Sequence, residues 1–379
     1  MKDLAECRVL IVDDVKSNVD VLVQALRDDH KLSVALNGEA ALRSIEKSPP
    51  DLVLLDIVMP GMDGYEVCRQ LRAAPETQEI PVMFLSSLDE VGNKTQGFEV
   101  GGNDYLTKPF EMLEVKARVR SLLKAKAYSD AIKEKIAAEL RVAKEIQHGI
   151  LPANVAERTG GTGLDVCAVL ESAREVGGDL YDVLQLDDGR ILIAIGDVSG
   201  KGVPAALFMA VATTLIRGMA RQYRRPEEIV REVNDSLAVQ NPRGMFVTLV
   251  CMIVDTENGT VTCANAGHNS PVLLRAGVAP EFVLASTTMI AGVMSGIEVT
   301  SSTIQLEPGD VLVLYTDGVT EAMNQDQALF GDESLLTCLT GTGLGSATEI
   351  TDHIVAAVRK HADGCPQSDD ITVLTIRRQ

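Results

Sequence analysis

Residues 121–150 contain no proline and no glycine before Gly149, and they are rich in alanine, lysine, glutamate and leucine. This composition favours one continuous helix, because good helix formers dominate and nothing interrupts them. Pro152 ends the helix, and a run of glycine and threonine follows. A helix of this length divides the chain into two parts, and the two parts have different apolar patterns.

Small and apolar residues recur along this helix at spacings of three and four. They are Leu122, Ala125, Ser129, Ile132, Ile136, Ala143, Ile146 and Ile150, with Glu139 as the one charged exception. Such a stripe can pair with a second helix, so it predicts a homodimer through a parallel coiled coil. The alternative is a single helix that packs on its own domain.

The N-terminal part alternates short apolar runs with amphipathic segments. The runs include residues 9–12, 52–55 and 82–85, and the amphipathic segments include 19–26 and 66–71. Strands that alternate with helices are typical of a doubly wound α/β fold, here with a five-stranded parallel sheet. We expect this domain to cover residues 1–120.

The C-terminal part has the pattern of paired strands. Residues 180–186 and 191–195 flank Asp187-Asp188-Gly189-Arg190, a strong hairpin turn. Further strands are expected at 247–254, 261–264, 311–316 and 371–376, and helices near 203–221, 227–239 and 347–361. An α+β domain of antiparallel sheets flanked by helices is therefore predicted for residues 153–379, with residues 121–152 as the linker.

Charge and cysteine usage exclude several classes of protein. A formal net charge of −19 argues against nucleic-acid binding, which needs lysine and arginine at the phosphates. The seven cysteines are scattered without a C-x-x-C pair, so neither disulfides nor a zinc site is expected, and a cytoplasmic location fits best. The most apolar helix, residues 205–216, is shorter than a membrane span and is interpreted as a buried core helix.

Reactive side chains follow four strands of the predicted parallel sheet. They are Asp13 and Asp14, Asp56, Ser86 and Lys108. Parallel sheets place their chemistry at the carboxyl ends of the strands, so these groups should converge. Three converging carboxylates repel one another and predict a hard divalent cation, Mg²⁺. A carboxylate held in this way can accept a phosphoryl group, whose oxygens Ser86 and Lys108 would bind.

These motifs resemble the CheY-like receiver domains of response regulators. The resemblance rests on Ile11-Val12-Asp13-Asp14, on residues 55–64 and on Lys108-Pro109-Phe110. It implies that Asp56 is the phospho-acceptor and that Asp13, Asp14 and the carbonyl of Val58 hold Mg²⁺. It also implies a sensor histidine kinase or phosphotransfer protein as the partner that supplies the phosphoryl group.

A second acidic cluster is predicted in the C-terminal domain. Antiparallel pairing about the turn at Gly189 puts Asp179 almost opposite Val198, so Asp179 and Asp197 should share one end of the hairpin. Further acids follow or precede strands, and these are Asp317, Asp369 and Asp370. Carboxylates without histidine or cysteine indicate Mg²⁺ or Mn²⁺, and the Val198 carbonyl could add a ligand. Two such ions can activate a water molecule against a phosphate ester.

This part is similar to the SpoIIE-like branch of the PPM-type serine/threonine phosphatases. The resemblance rests on residues 145–152, 176–182, 196–202, 245–248, 265–271 and 316–322. It implies that Asp197 bridges two metal ions, that Asp317 and Asp369 complete the second site, and that Asp179 binds metal or orients its water. Whether Asp369 or Asp370 is the ligand stays open.

The two resemblances together imply a response regulator with a phosphatase output. The implied substrate is a phosphorylated anti-sigma-factor antagonist of the STAS type. The alternative is a phosphorylation-gated binding adaptor that has kept the phosphatase fold without hydrolysis. His268 in the turn at 265–271 is interpreted as structural rather than as a general acid.

Overall fold

The computed structural model describes residues 3–86, 94–239, 241–340 and 345–379. It divides into two compact units, Met1–Ala138 and Glu139–Gln379. The division falls inside helix α5 (Met112–Ile150), which starts before the predicted linker because the last helix of the first unit continues into it without a break.

The first unit is the predicted α/β fold. Five parallel strands have the order β2-β1-β3-β4-β5. They are β1 (Arg8–Val12), β2 (Lys31–Ala35), β3 (Leu52–Asp56), β4 (Val82–Ser86) and β5 (Asp104–Thr107). The helices are α1 (Lys16–Leu26), α2 (Gly38–Lys47), α3 (Gly64–Ala73), α4 (Lys94–Glu99) and the start of α5. Every residue of β3 and β4 is buried, because helices cover both faces of the sheet.

The second unit contains two five-stranded antiparallel sheets, as predicted. One has the order β13-β10-β9-β8-β7 and the other β12-β11-β14-β15-β6. The strands are β6 (Leu164–Glu171), β7 (Leu180–Gln185), β8 (Ile191–Val198), β9 (Val247–Val254), β10 (Thr260–Ala266), β11 (Val272–Leu274), β12 (Glu281–Phe282), β13 (Ser302–Gln305), β14 (Val311–Tyr315) and β15 (Ile371–Arg378).

Helices pack against both sheets of this unit, and the longer ones cover the outer faces. They are α6 (Val155–Arg158), α7 (Val203–Ala220), α8 (Pro226–Ala238), α9 (Asp317–Thr320), α10 (Gly331–Thr340) and α11 (Ala347–Ala362). Helices α7 and α8 pack on the sheet that contains β8 and β9, and α10 and α11 pack on the other side of the second sheet. Apolar residues such as Ile193, Val250 and Leu374 fill the space between the sheets. The result is a four-layer sandwich.

Helix α7 differs from the buried core helix that the sequence predicted. Its inner face is buried, but Val203, Leu207 and Val211 on its outer face are 44%, 64% and 52% exposed. By length and composition alone, α7 could span a membrane, and it is the one such helix among the described residues. The prediction was wrong for the outer face, since α8 and the sheet cover only one side of the helix.

Candidate active sites

The first site lies at the carboxyl ends of β1 and β3. These strands are neighbours, with Val12 opposite Leu55, so the residues that follow them meet. Ligand oxygens of Asp13, Asp14 and Asp56 all lie within 4.8 Å of one another. Asp13 and Asp56 are buried and Asp14 is exposed. The predicted carboxylate triplet therefore forms, with hard oxygen donors that fit Mg²⁺.

Lys108 lies between two of these carboxylates. Its Nζ is 2.9 Å from Asp13 Oδ2 and 2.7 Å from Asp56 Oδ2. Burial lowers the pKa of the Lys108 ammonium, but the hydrogen bonds that it donates to Asp56 and Asp13 raise this pKa by more, so the net shift is upward. Burial also raises the pKa of Asp56 to about 6, against the lowering effect of the lysine. The lysine therefore neutralises this site only in part.

Ser86 is the last residue of β4 and is 1% exposed. Its Oγ has no hydrogen-bond partner within the described part of the chain. The backbone N–H of Lys108 donates to the Ser86 carbonyl at 2.7 Å, which ties the two predicted phosphoryl-binding residues together. A buried hydroxyl without a partner fits a group that binds a phosphoryl oxygen. The carbonyl role of Val58, whose side chain is exposed, stays a prediction.

The second site lies at the open end of the β7–β8 hairpin. Leu180 pairs with Gly196, so Asp179, the residue before β7, faces Asp197 rather than Val198. The register differs by one residue from the prediction, and it brings the two acids closer. Like charges opposite each other are destabilising unless a cation or a proton intervenes.

Two threonine hydroxyls hold Asp179 in place. The Thr316 and Thr372 hydroxyls donate to Asp179 Oδ2 at 2.8 and 2.5 Å. A Cβ added at Gly178 would lie 2.7 Å from the Val198 carbonyl oxygen, so only glycine allows this approach. The two threonines were not predicted. Their positions at a strand end and a strand start, next to predicted acids, were the available signal.

Burial, and after it repulsion between neighbouring acids, shifts the ionisation of the second cluster. Burial, then Asp317 and Asp369, raise the pKa of Asp197 to about 7. Burial, then Asp197, raise the pKa of Asp179 well above its ordinary value. Burial, then Glu321 and Asp369, raise the pKa of Asp317. These acids therefore interact, although no three of their ligand oxygens within the described residues lie as close together as the first triplet.

Asp369 and Asp370 have different surroundings. Asp370 accepts backbone N–H groups with both oxygens, from Ala173 to Oδ1 and from Gly178 to Oδ2, each at 2.8 Å. Asp369 Oδ2 lies 2.8 Å from Lys201 Nζ. Asp370 thus anchors the loop before Asp179, whereas the charge of Asp369 contributes to the raised pKa of Asp197 and Asp317. Oxygen donors of this kind fit Mn²⁺ or Mg²⁺.

His268 is buried and its Nδ1 lies 2.9 Å from the Thr248 hydroxyl. Burial lowers its pKa to about 4, so the imidazole is neutral near pH 7. Thr248 pairs with Asp197 across β8 and β9, which places His268 behind the acidic cluster. This geometry fits the structural role that the sequence suggested.

Gln147 is a functional candidate that the sequence did not single out. It is buried on α5, its Nε2 donates to the Gly177 carbonyl at 2.7 Å, and its Oε1 accepts from the Gly177 N–H at 3.2 Å. Arg217 of α7 donates to the Ile150 carbonyl at the end of the same helix. The C-terminal end of α5 is therefore bonded to the loop that precedes Asp179.

Family models match both parts of the chain. The receiver domain of response regulators matches residues 9–120, and Stage II sporulation protein E (SpoIIE) matches residues 187–379. Protein IcfG of Synechocystis sp. is 27% identical over 97% of this chain and 58% of its own length. Response regulator PleD of Caulobacter vibrioides is 36% identical over 50% of this chain and 42% of its own. The chain spans about half the length of these curated relatives.

Solved structures support the same assignment. The SiaA-PP2C domain of Pseudomonas aeruginosa aligns with a TM-score of 0.59 and 25% identity, over 66% of this chain and 99% of that one. The PP2C domain of Bacillus subtilis SpoIIE, with a fragment of its regulatory domain, shares the fold at a TM-score of 0.50 and 22% identity, over 56% and 63%. The chain therefore belongs to the SpoIIE family of PP2C-type phosphatase domains, here fused to a response regulator receiver domain.

Proposed function

We propose that this chain is a two-component response regulator whose output is a metal-dependent phosphoserine/phosphothreonine protein phosphatase under phosphorylation control. The observation that carries the proposal is the cluster of the buried Asp179 and the half-buried Asp197, Asp317 and Asp369, in which burial and then repulsion between neighbouring acids raise the pKa of the first three. Two bound ions would supply an activated water molecule and neutralise a phosphate ester. We propose Asp369, not Asp370, as the ligand, because both oxygens of Asp370 accept backbone N–H groups, whereas Asp369 Oδ2 meets only the partly exposed Lys201 ammonium, which a metal ion could replace.

The test is hydrolysis of p-nitrophenyl phosphate with Mn²⁺ by the full chain. Wild type is expected to be active, and Asp197→Ala to be inactive. Asp352→Ala, an exposed acid on α11, is the matched control and should retain wild-type turnover. An inactive wild type that still binds a phosphoprotein would favour the alternative, a binding adaptor without hydrolysis.

In the receiver we propose Asp56 as the phospho-acceptor. Asp13, Asp14 and the Val58 carbonyl would hold Mg²⁺, and Ser86 and Lys108 would bind the phosphoryl oxygens. A sensor histidine kinase or a phosphotransfer protein would supply the phosphoryl group. The Ser86 hydroxyl, which has no partner among the residues that the structure describes, and the ion pairs of Lys108 support these roles.

Control would pass along α5, since this helix runs from the receiver to the loop before Asp179. The Gln147 hydrogen bonds with Gly177 supply the contact at the phosphatase end. Turnover is expected to change when beryllofluoride mimics phosphorylation of Asp56, and Gln147→Leu should reduce that change. Identical turnover with and without beryllofluoride in wild type would contradict the proposal.

A homodimer through α5 fits the exposed apolar residues on this helix. Ile132, Ile136 and Ile146 are 59%, 51% and 64% exposed. Light scattering should report a dimer for wild type and a monomer for Ile132→Lys with Ile136→Lys. We further propose a cytoplasmic location. The proposed substrate is a phosphorylated STAS-type anti-sigma-factor antagonist. Identifying the phosphoprotein that accumulates in cells lacking this gene would test the substrate.

A further inference from the structure

An open apolar groove of about 520 Å³ runs along the outer face of α7. Val203, Leu207 and Val211 line one side, and Pro242, Arg243 and Met245 belong to the other. Residues 203–216 include no charged side chain, unlike the outer faces of α8 and α11. Exposed, contiguous apolar surface of this kind marks an interaction site.

Methionine-rich surface extends from the groove. The Asn241 side chain donates to the carbonyls of Met245 and Gly292, which joins the groove to the loop that follows. In that loop Val293 and Met294 are 48% and 55% exposed. Flexible methionine side chains adapt to the shape of a protein partner.

The groove is connected to the acidic cluster by short segments of chain. Ser199, two residues after Asp197, exchanges hydrogen bonds with Phe246, the neighbour of Met245, at 2.9 and 3.0 Å. Helix α7 starts at Val203, directly after the loop that carries Lys201. A phosphoserine held at the cluster would therefore bring the residues that flank it over the groove.

We propose that the groove binds apolar residues that flank the phosphoserine or phosphothreonine of the protein substrate, which rests on the phosphatase function proposed above. Metal ions held by the acidic cluster would recognise only the phosphate, so selection among phosphoproteins needs a second contact. Arg243 is the one charged residue in the groove, and its sign suits a phosphorylated partner. An anionic membrane surface suits the groove less, since the chain carries a net charge of −19.

The groove is tested with two short fluorescent phosphoserine peptides, one with leucine and isoleucine flanks and one with serine and glutamine flanks. A phosphonate that cannot be hydrolysed replaces the phosphate in both peptides, so that anisotropy with Mn²⁺ measures binding to the full chain without hydrolysis. We expect wild type to bind the apolar peptide about tenfold more tightly. Leu207→Gln with Val211→Gln should remove this preference. Val278→Gln, which changes an exposed apolar residue outside the groove, should keep it.

Hydrolysis of p-nitrophenyl phosphate separates this proposal from the function it rests on. If wild type hydrolyses p-nitrophenyl phosphate but shows no peptide preference, the groove proposal is wrong and the phosphatase proposal is unaffected. If wild type prefers the apolar peptide but shows no turnover, the groove proposal is supported and the phosphatase proposal is wrong. The proposal is wrong if the double variant keeps the peptide preference and loses another property. Loss of the dimer in light scattering would show that the face binds a second copy of the chain. Loss of flotation with anionic vesicles would show that it binds a membrane.

Discussion

The two acidic sites of this chain answer the same electrostatic problem in different ways. In the receiver, Lys108 contacts both Asp13 and Asp56. In the phosphatase domain, Lys201 pairs with Asp369, and the contacts that hold Asp179 come from threonine hydroxyls. The pKa rises to about 6 for Asp56 and to about 7 for Asp197. The first site can thus fold with a built-in cation, whereas the second depends more on metal ions or protons.

The largest effect is expected from substitutions that inactivate one acidic site and leave the other intact. Asp197→Asn should lower Mn²⁺-dependent turnover of p-nitrophenyl phosphate by on the order of 10²–10³-fold, because bound cations stabilise several kcal/mol of developing charge. It should leave labelling of Asp56 by acetyl phosphate unchanged. Asp56→Asn should abolish labelling and keep basal turnover. Loss of both activities in either variant would mean that the sites are not independent.

The threonines around Asp179 should have the next largest effect. Thr316→Val with Thr372→Val removes the two hydroxyls that orient this carboxylate, and groups of that kind typically contribute about 10–100-fold in metal affinity. Calorimetric titration with Mn²⁺ measures the loss. Thr351→Val is the matched control, because Thr351 is an equally buried threonine whose hydroxyl meets Thr375 instead. Equal Mn²⁺ affinity in the double variant and the control would show that these two threonines do not contribute to metal binding.

Sequence patterns predicted most of the architecture. The apolar runs located β1, β3 and β4 because these strands are buried on both faces. The edge strand β2 was missed, since only Ala35 in it is fully buried and its pattern is weak. The short strands β11 and β12 were missed for a similar reason, since two or three residues give no periodicity.

The candidate sites show the same limit. Acids at strand ends could be predicted, because their side chains carry the chemistry and glycine marks their turns. Their hydrogen-bond partners could not, because Thr316 and Thr372 reach Asp179, and Gln147 reaches the Gly177 backbone, from segments distant in sequence. The exposure of the outer face of α7 could not be predicted either. A helix without charged residues has the same sequence pattern whether one side or both sides are buried.

The two lysines allow a matched test of stability. Lys108→Met leaves two buried carboxylates without their partner and should lower the free energy of unfolding of the receiver by about 1–3 kcal/mol in EDTA. Lys201→Met breaks a pair in which both side chains are partly exposed, and such pairs contribute below about 1 kcal/mol. Urea unfolding measures both, and Mg²⁺ should restore much of the first loss. A larger effect at Lys201 would reverse the contrast between the sites.

The smallest effect is a pH dependence of the metal-free phosphatase domain. Asp197 has a pKa of about 7 in the folded chain and an ordinary value of 3.8, so the folded state binds more protons between these limits. Stability in EDTA should therefore fall as pH rises from about 4 to about 7. Each kcal/mol lost corresponds to roughly 2–4 °C in a domain of this size.

Mn²⁺ should reverse this trend, because the ion replaces the proton and its binding strengthens as the acids ionise. The increase in Tm that Mn²⁺ produces is then expected to grow with pH over the same window. In Asp197→Asn, which cannot ionise at this position, the fall of Tm in EDTA should be shallower than in wild type. Identical slopes in the two proteins would show that repulsion around Asp197 does not control the stability of the domain.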